Sequence, residues 1–400
     1  MRSRMNHTVS AWQVHDLAGG ILRRCLQWAD RGRKCTVHNL LLVLFFAASR
    51  ASSIHDACRR LRNAPSDQTV YNALVMQLPK MPELERQLNL GLADKLPKGL
   101  FRKARVLAAD TTPISYYGKP WKQERELCRG KRKAGTTRFH CYATLYVVHH
   151  GQRFTVAMTY VWKKDSNAQV LQRLLEQAKR IGLRVRYLLL DRGFYGLDVV
   201  QHLQSIRCPF LMPVVHRGRK PKRTRPDQLR GTRRFLAWKK SGWSTHVMRN
   251  NKRQATVKIC VACLPPRTGR RRKRSRRPLV FAFWGFRPGS PASVRQEYRK
   301  RFGIESSYRQ MNQGRIRTCS RNPRVRMFLA ALALILRNVW VWLHGSVLGQ
   351  VRGRGMQLRL ELLRLRTMLL MLQRCAEEWL GCSEMTQPSV GPGFEASSFL

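Results

Sequence analysis

Carboxylates are scarce in this chain, so the places where they occur carry information. The 400 residues include 77 Lys and Arg against 22 Asp and Glu, a net charge of +55. Asp110 closes the apolar run Ala104–Ala109, and Asp191 closes Val185–Leu190. Strand ends are where open α/β sheets gather their sites. The third acid is Glu305, in a helix predicted over 292–312. There Tyr298, Arg301, Glu305, Tyr308 and Asn312 recur at spacings of 3, 4, 3 and 4 and share one face. A polar stripe needs partners if it faces the core, and the sheet edge at Asp110 and Asp191 would supply them. Carboxylates gathered in one site raise one another's pKa, and a divalent cation with hard-oxygen preferences relieves the conflict. The chemistry open to such a trio is metal-assisted phosphoryl transfer. Arg301, one turn before Glu305, is placed to orient it or to hold a phosphate. Gly303 costs this helix about 1 kcal/mol relative to Ala, so something other than helix propensity selects it. Each feature also has a plainer reading: a turn-forming or capping Asp, and a surface Arg–Glu pair worth little.

The elements that must position these residues lie between about 103 and 216. Strands are predicted over Ala104–Ala109, Phe139–His149 and Phe154–Trp162, the last two joined by the hairpin signal His150-Gly151-Gln152. A helical stripe over Asn167–Ile181, a strand Val185–Leu190, a helix Leu197–Leu203 and a strand Cys208–Val215 follow. A hairpin followed by parallel crossovers predicts a mixed sheet with helices packed on it. Residues 217–290 read as a β-rich insertion with two basic runs, nine Lys/Arg in Arg217–Arg234 and eight in Arg267–Arg277. Phosphates would dock there, on Arg271, Arg272 and Lys273 among others. Trp238, Trp243 and Trp284 interleave with this charge and could stack on bases, or simply pack.

Residues 1–98 are predicted helical. The short helix Ser52–Arg62, the break Asn63-Ala64-Pro65 and a helix capped by Ser66 form a helix-turn-helix or an ordinary helical hairpin. The former would offer Gln68, Tyr71 and Asn72 to base edges. Residues 346–400 are read as a C-terminal helical region and tail.

Charge of this size calls for a polyanionic partner, nucleic acid first. With 43% hydrophobic residues the chain can still build a core, which excludes a disordered basic tail. Eleven scattered cysteines form no disulfide framework, and Cys260 and Cys263 read as strand residues rather than zinc ligands. The runs Leu40–Ala48 and Phe328–Leu343 fall short of the roughly 20 residues that span a bilayer, and Met1–Gln27 lacks a signal-like apolar core. The expectation is a cytoplasmic, nucleoid-associated protein without a membrane partner.

Three motifs in order resemble a known family. Tyr298-x-x-Arg301-x-x-x-Glu305 is similar to the YREK motif of insertion-sequence DDE transposases of the insertion-sequence-four type. Asp110-Thr111-Thr112 resembles that family's first acidic motif, and Asp191-Arg192-Gly193-Phe194-Tyr195 its second. The motif's final Lys falls at Asn312, so its role would pass to Arg309 or Arg315. The resemblance covers about 100–345. It implies a ribonuclease-H-like α/β catalytic domain over 99–345, with catalytic and metal-binding roles for Asp110, Asp191 and Glu305. It further implies two Mg²⁺ ions, with Mn²⁺ as a substitute, and DNA contacts from Tyr298 and Arg301. A flipped base would rest on an insertion-domain Trp. The implied partner is double-stranded DNA, as terminal inverted repeats and target, bound by a homodimer on paired ends. The alternatives are a nuclease of the same fold without strand transfer, and a non-catalytic transposon-derived DNA-binding protein. The latter gains nothing from three acids beside a basic groove.

Overall fold

The computed structural model describes residues 8–149, 153–218, 231–263, 278–348, 350–352, 355–357 and 361–382. The turn 150–152, the basic triplet Arg271, Arg272 and Lys273, and the tail from 383 lie outside the described residues.

Five helices open the fold: α1 Ala11–Leu26, α2 Val37–Arg50, α3 Ile54–Arg60, α4 Asp67–Gln77 and α5 Met81–Ala93. The first four start on a Ser or Thr whose hydroxyl accepts a first-turn backbone N–H: Ser10, Thr36, Ser53 and Ser66. Helix α2 is buried on nearly every side, which its unbroken apolar run requires.

The strands follow: β1 Arg105–Ser115, β2 Cys128–Lys133, β3 Thr136–Val147, β4 Thr155–Val161, β5 Val185–Leu190, β6 Phe210–Pro213, β7 Gly242–Arg249, β8 Gln254–Ala262 and β9 Leu279–Trp284. Helix α6 (Asn167–Arg180) precedes β5, and α7 (Leu197–Ser205) follows it. Nine of the eleven described strands form one mixed sheet in the order β2-β3-β1-β5-β6-β9-β8-β7, with β4 also on β3; β10 (Gln350–Arg352) and β11 (Gly355–Gln357) pair antiparallel as a separate two-stranded sheet. Only β1·β5 and β5·β6 are parallel. Helices α8 Pro291–Arg299, α9 Gly303–Gln313, α10 Pro323–Leu343 and α11 Leu365–Leu380 complete the fold.

Two features differ from the sequence reading. Strand β1 does not stop at Asp110. It pairs with β5 only as far as Ala109↔Leu190, then continues against β3 alone through Ser115↔Phe139. The β-branched Thr111 and Thr112 favour this continuation. The described strands of the β-rich insertion 217–290 also have a place that the sequence reading did not give them. They extend the central sheet, because β9 pairs antiparallel with β6 from Phe210↔Trp284 to Pro213↔Phe281. Both strands are apolar along their length, so each buries the other's open edge.

The free edge of β4 is closed by side chains rather than by another strand. Asn89 of α5 accepts from Met158 N–H at 2.7 Å and donates to Met158 C=O at 2.9 Å. Glu85 accepts from Tyr160 N–H at 2.9 Å. Asn338 of α10 accepts from Thr155 N–H at 3.1 Å and donates to its C=O at 2.7 Å. The helical N-terminus is thereby tied to the sheet. Helix α10 is long and apolar enough to cross a membrane, but 94% of that stretch is buried inside the fold as the core helix. Its buried Arg337 donates to Arg153 C=O at 2.6 Å and to Gln310 at 2.9 Å, which satisfies a charge the interior would otherwise reject.

Asn89→Ala would orphan two buried backbone groups. The expected loss is about 2–4 kcal/mol, measured by denaturant unfolding. An unchanged midpoint would show that β4 does not depend on this clamp.

Candidate active site

The end of β5 beside the longer β1 creates the site. Because Ala109 pairs with Leu190, Asp110 and Asp191 come off neighbouring strands at the same level. Asp110 faces Thr144 across β3. Its backbone C=O accepts from the Tyr308 hydroxyl at 3.0 Å, and that hydroxyl accepts in turn from Thr144 at 2.7 Å. Helix α9 is thus fixed to the strand that carries the first acid.

The predicted helix 292–312 is two helices. Residues Lys300–Phe302 form one tighter 3₁₀ turn between α8 and α9, which rotates Arg301 towards the sheet. Its guanidinium is 5% exposed. One nitrogen lies 3.1 Å from Asp110; the other lies 3.1 Å from Glu305 and 3.4 Å from Asp191. Arg301 therefore holds all three acids that the sequence singled out, not Glu305 alone. Gly303 sits where a Cβ would come within 3.0 Å of the Tyr146 hydroxyl and 2.8 Å of the Arg153 guanidinium. Close approach to the sheet, not backbone conformation, selects glycine here.

Burial pushes the Asp110 carboxyl up, Asp191 adds to this, and Arg301 and the Thr111 N–H partly offset it. Burial alone would lower the Arg301 guanidinium; Tyr298 and the carboxylates outweigh it, and the net shift is upward. Burial also pushes Tyr298 up to about 12. Three carboxylates against one guanidinium leave the described centre with a formal charge of −2. Hard oxygens with a residual −2 suit a divalent cation. Among the described residues no trio of acids, His or Cys stands together as a ready metal cage, and Arg301 is the group that stands between these three.

The other predicted contact residues are spread out. Tyr298 is buried, its ring beneath the Arg301 guanidinium at 5.7 Å. Arg309 is exposed one turn past Glu305. Arg315 turns away, donating to Asn312 at 3.2 Å. Trp243 is 43% exposed on the edge strand β7. Its pairing through Cys260, Phe281 and Pro213 puts it level with Asp191, four strand spacings or roughly 19 Å away. Trp284 pairs with Phe210, level with Leu188 and so below the level of Asp110 and Asp191. Trp238 packs beneath Gly242. Gln68 and Asn72 are exposed on α4 and bonded to each other at 2.8 Å, whereas Tyr71 turns inward to Ser320 at 2.8 Å. Cys260 is buried in β8, and all eleven cysteines are free thiols. Sequence reasoning missed Thr144, for which there is no local signal, and a cavity of about 380 Å³ lined by Arg192, Tyr298 and the exposed Phe302.

A family model described as the transposase DDE domain matches residues 101–339, more than half of the chain. The chain belongs to this family. It is a DDE transposase, an enzyme of DNA transposition. No curated protein matches the sequence at significance. Solved structures that the transposase resembles include a piggyBac transposase synaptic complex with hairpin DNA. There the TM-score is 0.55 at 10% identity, over 99% of this chain and 89% of that one. At that identity the likeness is one of fold.

The raised Asp110 carboxyl holds its proton more tightly in the folded than in the unfolded chain. Its contribution to stability therefore falls as pH climbs from the unfolded value near 3.9 through the raised one. Removing Arg301 lifts that carboxyl further. Arg301→Ala is expected to cost about 2–3 kcal/mol at neutral pH, discounted because Asp191 and Glu305 are partly exposed. The gap to wild type should narrow towards pH 4, as thermal unfolding at both pH values will show. A pH-independent gap would mean that the guanidinium is not relieving carboxylate repulsion.

Proposed function

We propose that this transposase is of the insertion-sequence-four type, with a ribonuclease-H-like core over 99–345 and 217–290 as its basic insertion. The observation that carries the reading is the cluster of Asp110, Asp191 and Glu305 on Arg301, at the spacing of the YREK motif. Asp110, Asp191 and Glu305 are the catalytic residues and would hold two Mg²⁺ ions, with Mn²⁺ as a substitute. Bound there, the ions supply an activated water or 3′-hydroxyl and neutralise the leaving oxygen of an in-line displacement.

The chain's own part is positioning and charge. Tyr308 and Thr144 fix the Asp110 backbone, so that this carboxylate cannot drift from its level beside Asp191. Arg301 sets the orientation of all three acids, and Tyr298 packs under its guanidinium. Arg309, exposed one turn past Glu305, takes the phosphate-binding role of the motif's final Lys more readily than the half-buried Arg315, which is bonded to Asn312. Trp243 is the insertion tryptophan open enough to stack on a base.

The partner is double-stranded DNA, as terminal inverted repeats and target, bound by a homodimer on paired ends. The charge of +55 supports it, and the piggyBac structure of like fold is a complex with hairpin DNA. We assign end recognition to residues 1–98, through α3 and α4 as a helix-turn-helix with Gln68 and Asn72 towards the bases. We read residues 346–400 as a C-terminal helical region and tail, with α11 as the helix. The setting is the cytoplasm, at the nucleoid, without a membrane partner; a core position for α10 supports the last point.

On a plasmid carrying matched element ends, Mg²⁺-dependent breaks at both ends are expected. Glu305→Gln should lower cleavage by roughly 10³-fold or more while end binding, followed by gel shift, stays intact. Retained cleavage would remove Glu305 from the centre, and cleavage without end preference would favour a nuclease. Replacing Gln68 and Asn72 together by Ala should abolish the preference for matched ends over random duplex in a competition assay, while sparing nonspecific binding. Preserved preference would place end recognition elsewhere.

A further inference from the structure

A second aromatic site lies on the catalytic edge of the sheet, on the far side of β3 from the acids. Trp121, in the loop after β1, and Trp162, just past β4, line a cavity of about 340 Å³ together with Met81 and Pro323. Both rings are partly exposed. Val161 pairs with Cys141, and Cys141 with Pro113, three residues beyond Asp110. Trp162, one residue further, therefore emerges roughly 10 Å across the sheet and roughly 13 Å along it from the first acid.

We propose that this slot takes one unpaired nucleobase of a DNA strand, whose flanking phosphates rest on Lys80, Lys122, Arg125 and Arg324. The proposal rests on the DNA-binding reading above. Four observations support it.

The walls are held in place. The Glu126 carboxylate accepts from the backbone N–H groups of Trp121, Lys122 and Gln123 at 2.7, 3.2 and 3.2 Å. Arg321 donates to Pro120 C=O at 2.7 Å, and Arg324 to Leu78 C=O at 2.6 Å. A preformed slot spares the ordering cost of binding.

The charge facing the slot is positive. Glu126 is the one carboxylate in its lining, and its oxygens are spent on the backbone.

The rings already carry cations. Lys122 lies 4.6 Å and Arg324 5.9 Å over Trp121, and Arg125 5.3 Å over Trp162. Such cations are held more weakly at exposed sites than a stacked base is. A base can take the ring face, and the displaced cation then meets the phosphate beside it.

Size decides between single and double strands. The volume is at the lower end of small-ligand pockets, enough for one nucleotide and too small for a base pair. The slot also lies at the junction of the α4–α5 turn with the sheet, between the helix assigned to end recognition and the acids.

The test uses the full chain without divalent cation, so that nothing is cut. Fluorescence anisotropy compares a blunt duplex with the same duplex carrying a short unpaired tail. The tail is expected to tighten wild-type binding about tenfold, the scale of one stacked base. Trp121→Leu and Trp162→Leu should each lose that gain and keep blunt-duplex affinity. A gain that survives in both variants overturns the proposal, as does a wild type indifferent to the tail. A wild type that binds neither DNA overturns the DNA-binding reading instead. Should the variants fail to fold, bromodeoxyuridine in the tail is photo-crosslinked to wild type. Adducts on Trp121 or Trp162 support the slot, and adducts confined to other residues such as Trp243 overturn it.

Discussion

One guanidinium among three carboxylates is the constraint around which this fold is arranged. Asp110, Asp191 and Glu305 come from two strands and a helix far apart in sequence, and like charges at this separation would push one another away. Arg301 meets all three at 3.1–3.4 Å from within the fold. Strand β1 must outlast β5 to set the two aspartates level. The 3₁₀ turn at 300–302 must break the helix to turn Arg301 inward. Gly303 must lack a side chain for α9 to approach Tyr146. Local preference supports only the first, through Thr111 and Thr112, and the ion cluster is what all three share.

The sequence made part of this legible. Acids are rare enough in a basic chain that their spacing could be read, and the buried strand β5 is a plain apolar run ending at Asp191. Arg301 was visible only as a neighbour of Glu305, because i,i+4 spacing reports helix neighbours and says nothing about contacts across a sheet. The overrun of β1 left a faint trace in Thr111 and Thr112. Strand β2 left none: its residues are Cys-Arg-Gly-Lys-Arg-Lys, mostly exposed, with no alternation to detect. The union of β9 with β6 depends on register between segments some seventy residues apart, where composition is silent.

The N-terminal helices illustrate a second limit. A helical segment of about one hundred residues reads as a unit of its own. In the structure α5 closes the edge of β4 through Asn89 and Glu85, and α11 returns from the C-terminus to Leu61 and Arg62 beside α3. Side chains standing in for a missing strand have no sequence period, since a single Asn amide can satisfy both backbone groups of one residue. The helices therefore cannot shift without disturbing the strand next to β3, on which Thr144 supports Tyr308 and Asp110.

Charge ties these levels together. The chain as a whole is +55, yet the cluster of Asp110, Asp191 and Glu305 keeps a residual −2 after Arg301 is counted. A purely basic groove would bind DNA and leave no place for a divalent cation. Three unrelieved carboxylates would hold a cation but resist folding and repel a phosphate. The arginine lies between these limits. It neutralises enough charge for the acids to stand together around one buried guanidinium and leaves enough for a cation to be drawn in. Its two nitrogens meet one oxygen of each acid, and a phosphate that arrives with DNA would offer the guanidinium another partner.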